Sequence, residues 1–73
     1  MNYIIKTEGL SCGHCDAKVE TALLRVLGVT DAEADHETQT ATVECDASVT
    51  PQQLAEAVEA AGEKFRALSV EEA

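Results

Sequence analysis

Two stretches of helical periodicity, each closed by a glycine, stand on either side of a segment that alternates twice. From about His14 to Leu27 the apolar residues Val19, Ala22, Leu23 and Val26 recur at helical spacing, and Gly28 supplies a stop. Leu54, Ala57, Val58 and Ala61 form a second such stripe, ended by Gly62. Between them, Val29 to Asp35 and Thr40 to Cys45 alternate around the polar His36 to Gln39, the pattern of a β-hairpin. Two helices flanking one hairpin leave few ways to build a common core.

The second helix carries the sharper local signal. Thr50 and Gln53 form a capping box, Pro51 takes the first helical position, and Val49 can staple onto Leu54. Ahead of the first helix, Tyr3, Ile4, Ile5 and Lys6 form a short β-rich opening that stops at Gly9. Lys64 to Val70 remains as a last strand. The order is βαββαβ. It predicts an α+β fold: a ferredoxin-like open-faced sandwich, with two helices on one face of an antiparallel four-stranded sheet.

A chain of 73 residues is expected to be a single domain, residues 1–73, with a small core. A domain of this size buries only about 60% of the surface that its unfolded chain exposes. The formal net charge of −9, from 14 acidic and five basic residues, repels phosphate backbones and anionic membranes. Nucleic acid is excluded as the expected partner. The acidic excess reads as a solubility feature, compatible with a partner that has a basic docking face. No apolar run approaches the roughly 18 residues of a membrane span, so no membrane insertion is expected. Met1 to Lys6 lacks the basic and long apolar regions of a secretion signal. The expected location is cytoplasmic, where thiols stay reduced, and three cysteines cannot all pair.

The stretch GLSCGHCDAK, residues 9–18, places Cys12 on the loop after the first strand and Cys15 in the first turn of the first helix. Unpaired backbone N–H groups and the helix dipole favour negative charge there, hence a thiolate at Cys15. The thiolate is the form that binds metal or attacks a disulfide. Two intervening residues bring the sulfurs close enough to chelate one soft ion, such as Cu(I), Zn(II) or an iron–sulfur cluster. Structural zinc and clusters usually take four ligands, and only one such pair is present. Two-coordinate binding suits Cu(I) or a similarly soft ion better.

Other chemistry-bearing residues read as bystanders. His14 lies between the cysteines and is expected to point to solvent; His36 belongs to the hairpin turn among Asp35 and Glu37. Cys45 shares the alternating face of Ala41 and Val43 and is expected to be a small buried side chain. Glu56, Glu59, Glu71 and Glu72 read as a solvated face and a frayed tail. No serine–histidine–acid set and no glycine-rich phosphate loop is present, so no enzyme is expected.

Gly9-Leu10-Ser11-Cys12-Gly13-His14-Cys15 resembles the signature of heavy-metal-associated domains, found in copper chaperones and in copper-transporting P-type ATPases. Gly28-Val29, Ala41 to Asp46 and Val49-Thr50-Pro51 look like the same family's framework, so the resemblance spans nearly the whole chain. It implies a Cu(I) chaperone whose metal ligands are Cys12 and Cys15. The ion would pass by ligand exchange to a partner such as a copper-transporting P-type ATPase. Members carrying mercury, zinc or cadmium use the same two positions. A monomer is implied for the metal-free form, with a metal-bridged dimer open to the loaded one. The start at Met1 and the end after the last strand suggest a free-standing chaperone.

Two positions depart from the family pattern. Leu10 stands where methionine is usual, and Glu63 follows Gly62 where an aromatic residue, lysine or histidine often sits. Leu10 can still plug the core under the loop. In this fold the loop after Gly62 should run beside the cysteines. Lys64 is then the expected counter-charge to a bis-thiolate complex, and Glu63 is expected to face solvent or pair with Lys64.

The quartet Cys12-Gly13-His14-Cys15 also resembles the active site of some protein disulfide isomerases, which makes a small thiol-disulfide oxidoreductase the rival. Such a site needs a proline leading into a strand beside the cysteines, whereas Pro51 opens a helix. The aromatic residue usual before the first cysteine is replaced by Ser11. A structural or adaptor domain that retains the motif is a third reading, marked by absence of metal binding.

Overall fold

Residues 1–73 are all described in a computed structural model. The elements run β1 (Asn2–Glu8), α1 (Gly13–Leu24), β2 (Val29–Asp35), β3 (Thr40–Cys45), α2 (Pro51–Ala60) and β4 (Arg66–Glu72). Strict alternation makes β1 and β3 two-faced: Tyr3, Ile5 and Thr7, with Ala41, Val43 and Cys45, are buried between exposed neighbours. The two strands pair antiparallel, Ile5 opposite Ala41 and Tyr3 opposite Val43, so their apolar side chains share one face.

The sheet order is β2-β3-β1-β4, with every neighbouring pair antiparallel. Each helix therefore crosses over one intervening strand, α1 from β1 to β2 and α2 from β3 to β4. Both helices bury their stripes on the same side. Val19 and Leu23 from α1, and Leu54 and Val58 from α2, are fully buried with Ile5 and Val43. Full burial of each such side chain stabilises the fold by about 1.5–3 kcal/mol. This is the ferredoxin-like sandwich that the element order predicts.

The start of α2 forms as its sequence dictates. The Thr50 hydroxyl accepts from the Gln53 N–H at 3.3 Å, and the Gln53 side chain accepts from the Thr50 N–H at 2.9 Å. Loss of such a cap costs about 1 kcal/mol. Val49 and Leu54, the expected staple, are both buried in the core.

Three boundaries differ from the sequence reading. Helix α1 ends at Leu24 and not at Leu27, which is 92% exposed, although Val26 still packs against the core. Gly28, at φ 101°, instead turns the chain into β2, where a Cβ would strike the Asp46 and Val49 side chains. The last strand starts at Arg66 and not at Lys64. The Phe65 N–H closes a turn onto the Gly62 carbonyl at 3.2 Å, which delivers the Phe65 ring to the core. Finally, Glu71 and Glu72 are no frayed tail: they pair with Ile4 and Tyr3 in β4. No helix is long and apolar enough to cross a membrane.

Candidate metal centre

The cysteine loop joins the end of β1 to the start of α1, and its shape is set by a close backbone approach. Gly9 has φ 97°, and a Cβ there would fall on the Lys64 carbonyl. Only glycine combines that conformation with that proximity. The loop after α2 thus lies against the cysteine loop, as the fold predicts, and Leu10 fills the core beneath it with 5% exposure.

Cys12 is the N-cap of α1, and its carbonyl accepts from the N–H groups of Cys15 and Asp16 at 3.0 and 3.2 Å. The helix so nucleated turns Cys15 back toward Cys12, and their sulfurs lie 4.0 Å apart. Both are free thiols; Cys12 is exposed and Cys15 is buried. A linear ion with metal–sulfur bonds of about 2.3 Å needs roughly 4.6 Å between sulfurs, so a small opening admits it. No third Cys, His, Asp or Glu ligand atom completes a cluster with the two sulfurs.

The electrostatics favour a thiolate at the buried position. The Ser11 hydroxyl lies 3.4 Å from Cys15 Sγ and itself accepts from Lys64 Nζ at 3.3 Å. Hydrogen bonding from the Ser11 side chain, then from its backbone, lowers the Cys15 pKa to about 6; Lys64 and Cys12 add to this, against the opposing effect of burial. The ammonium of Lys64 also stands 5.5 Å from the centre of the Phe65 ring. Glu63 is exposed and forms no ion pair, so it faces solvent beside this site.

The remaining candidates lie elsewhere. His14 is exposed on α1 and lines a shallow groove with Lys18, Ala57 and Ala61. Cys45 is buried at the opposite end of the sheet, where its N–H bonds the Met1 carbonyl at 2.8 Å. The seven residues of β1 separate it from the cysteine loop by about 20 Å, at roughly 3.3 Å per residue. His36 is less solvated than its turn position predicts: its Nδ1 lies 2.7 Å from Asp16 Oδ2, and its side chain is 35% exposed. That contact with the Asp16 carboxylate raises the His36 pKa above the ordinary imidazole range.

One residue escapes a sequence reading altogether. The Gln39 side chain accepts from the Leu10 N–H at 3.2 Å and donates to the Leu10 carbonyl at 2.5 Å. The partners are 29 positions apart. A glutamine at the end of a polar turn carries no local signal of such a contact.

Comparison with known proteins agrees with this geometry. Residues 4–64 match the model of the heavy-metal-associated domain. The copper chaperone CopZ of Staphylococcus haemolyticus is 41% identical over 63 residues, covering 85% of this chain and 93% of that protein. A solved CopZ metallochaperone has a TM-score of 0.85 at 35% identity, covering 93% of this chain and all of that one (100%). A copper-binding domain from HMA7, a P-type ATPase, has a TM-score of 0.83 at 30% identity over 99% of this chain and 100% of its own. With its cysteine pair set at the β1–α1 junction of the same sandwich, the chain belongs to the heavy-metal-associated domain family.

Proposed function

We propose that the protein is a Cu(I) carrier that holds the ion between the thiolates of Cys12 and Cys15. The observation that carries this reading is the sulfur pair itself: 4.0 Å apart, one sulfur exposed and one buried, with no third ligand group beside them. Soft thiolates select Cu(I), which two ligands can satisfy; zinc would lack two of its usual four. The copper chaperones among its relatives support the same cargo.

Transfer follows from the same asymmetry. A first partner thiolate reaches the ion from the side of exposed Cys12, forms a three-sulfur intermediate and displaces Cys12; a second partner thiolate then displaces Cys15, so that the ion leaves with two sulfurs as it arrived. No electron moves, and each departing thiolate is free to take up a proton. A copper-transporting P-type ATPase domain is the acceptor in this scheme, since a copper-binding ATPase domain shares the fold. The protein acts as one domain in the cytoplasm, monomeric without metal and able to form a metal-bridged dimer when loaded. It is a carrier, not an enzyme. A redox role fits less well, because the contacts that favour a thiolate gather on Cys15, which a disulfide substrate cannot reach.

Titration of the reduced protein with Cu(I) against a competing chelator tests the proposal. One tightly held, thiol-dependent ion per chain is expected. Catalytic turnover of a disulfide substrate without metal binding would overturn it in favour of the oxidoreductase.

A further inference from the structure

We infer that the turn between β2 and β3, residues 36–39, clamps the metal loop in its binding shape, with Gln39 as the positioning residue. This rests on the Cu(I) reading above. Leu10 lies beyond the end of β1, so no neighbouring strand pairs its backbone. Its side chain is nonetheless buried, and backbone polar groups held against the core need partners. The Gln39 amide supplies both, as an additional strand would: Oε1 accepts from the Leu10 N–H, and Nε2 donates to the Leu10 carbonyl. Nε2 also donates to the His36 carbonyl at 2.7 Å, which locks the amide to its own turn.

The backbone of Gln39 is held in a conformation that its residue type does not favour. Its φ is 55°, the sole positive value outside glycine in the chain. Asparagine or glycine is the usual occupant of such a position. The Gln39 carbonyl accepts from the Thr7 N–H at 2.8 Å, which ties the strained residue to the end of β1. A longer side chain with a full amide is what reaches Leu10 from there.

The same turn holds the loop at a second point. His36 Nδ1 meets Asp16 Oδ2 at 2.7 Å. Gln39 thus grips position 10 and His36 grips position 16, and the two cysteines lie between. A chelating loop fixed at both ends has less freedom to lose when it binds, which raises affinity without a new metal contact.

The test uses Gln39→Gly, which removes the amide and relieves the positive φ, and Gln39→Asn, which keeps an amide one methylene too short. In the reduced metal-free protein, Leu10 amide hydrogen exchange is expected to accelerate in both. Cu(I) affinity, measured by chelator competition, is expected to fall roughly tenfold, as two lost hydrogen bonds imply. Thermal unfolding is followed in parallel, so that a loss of loop order is told apart from a general loss of stability. Cys45→Ala, a lesion at the far end of the sheet, is the control: it lowers stability and leaves affinity alone. Unchanged Leu10 protection in both variants overturns the clamp. Faster exchange with Cu(I) affinity within twofold of the parent overturns its role in metal binding. If the parent itself holds no Cu(I), the carrier reading fails, while Leu10 exchange still decides whether the turn grips the loop.

Discussion

Lys64 Nζ donates to the Ser11 hydroxyl at 3.3 Å, and so places a positive charge one hydroxyl away from Cys15. Two thiolates on one Cu(I) leave net negative charge in a partly desolvated loop, where an unpaired charge is costly. Lys64→Ala is therefore expected to weaken Cu(I) binding roughly two- to fivefold at low salt, and less at high salt, where exposed charges are screened. Glu63→Gln, altering a solvent-facing carboxylate, should change little. Chelator competition at two ionic strengths checks both; a Lys64→Ala protein that matches the parent at low salt would leave the helix terminus as the compensating charge.

Removal of either sulfur of the proposed site should abolish tight binding. Cys12→Ala and Cys15→Ala are each expected to lose Cu(I) to a competitor that the parent resists, with the fold retained in circular dichroism. Near-parental affinity in either variant would falsify the two-thiolate site.

The Cys15 thiol is expected to titrate near pH 6, readable from thiolate absorbance in the reduced metal-free protein. Its folded-state pKa lies below the ordinary thiol value, so the thiolate contacts stabilise the fold above that ordinary value. This contribution fades as pH falls through about 6. Ser11→Ala, which removes the principal contact, should move the titration upward. An unmoved titration in that variant would assign the shift to other groups.

His36 carries the opposite sign. The Asp16 carboxylate raises its pKa, with Glu37 and Asp35 adding to the effect. The stabilisation is complete below the unfolded imidazole value, about 6.5, and is lost as pH rises through the higher folded one. His36→Gln should thus destabilise the protein at about pH 5 and have little effect at about pH 9. Equal destabilisation at both, in urea unfolding, would mean that packing and not charge holds the turn.

Cys45 is 4% exposed in the core cluster, opposite Val29 in the β2–β3 pairing. Cys45→Ala should cost about 1 kcal/mol through a small cavity and leave Cu(I) affinity unchanged. Lost affinity at full stability would make it a ligand.

What was legible in the chain depended on range. The Thr50 cap, Pro51 and the hairpin strands read correctly because each signal is local to a few residues. Gly28 misled because glycine serves both as a helix stop and as a positive-φ turn residue, and only the exposed Leu27 tells which. The cysteine pair stood out because its spacing alone brings two sulfurs together. Lys64 and Glu63 could be placed once the fold was known. Gln39 and the His36–Asp16 pair could not, since each contact joins segments 20 or more positions apart through polar side chains that are ordinarily solvated.

The sheet order leaves β2 and β4 as its two free edges, and both are acidic. Asp31, Glu33 and Asp35 punctuate one, and Glu71 and Glu72 end the other. An unpaired edge is a template for pairing with another chain, and like charges on every copy oppose that union. These five of the 14 acidic residues therefore oppose open-ended, edge-to-edge pairing of sheets. Like charge along both edges leaves the exposed Cys12 loop, and not the sheet, as the face open to another thiol.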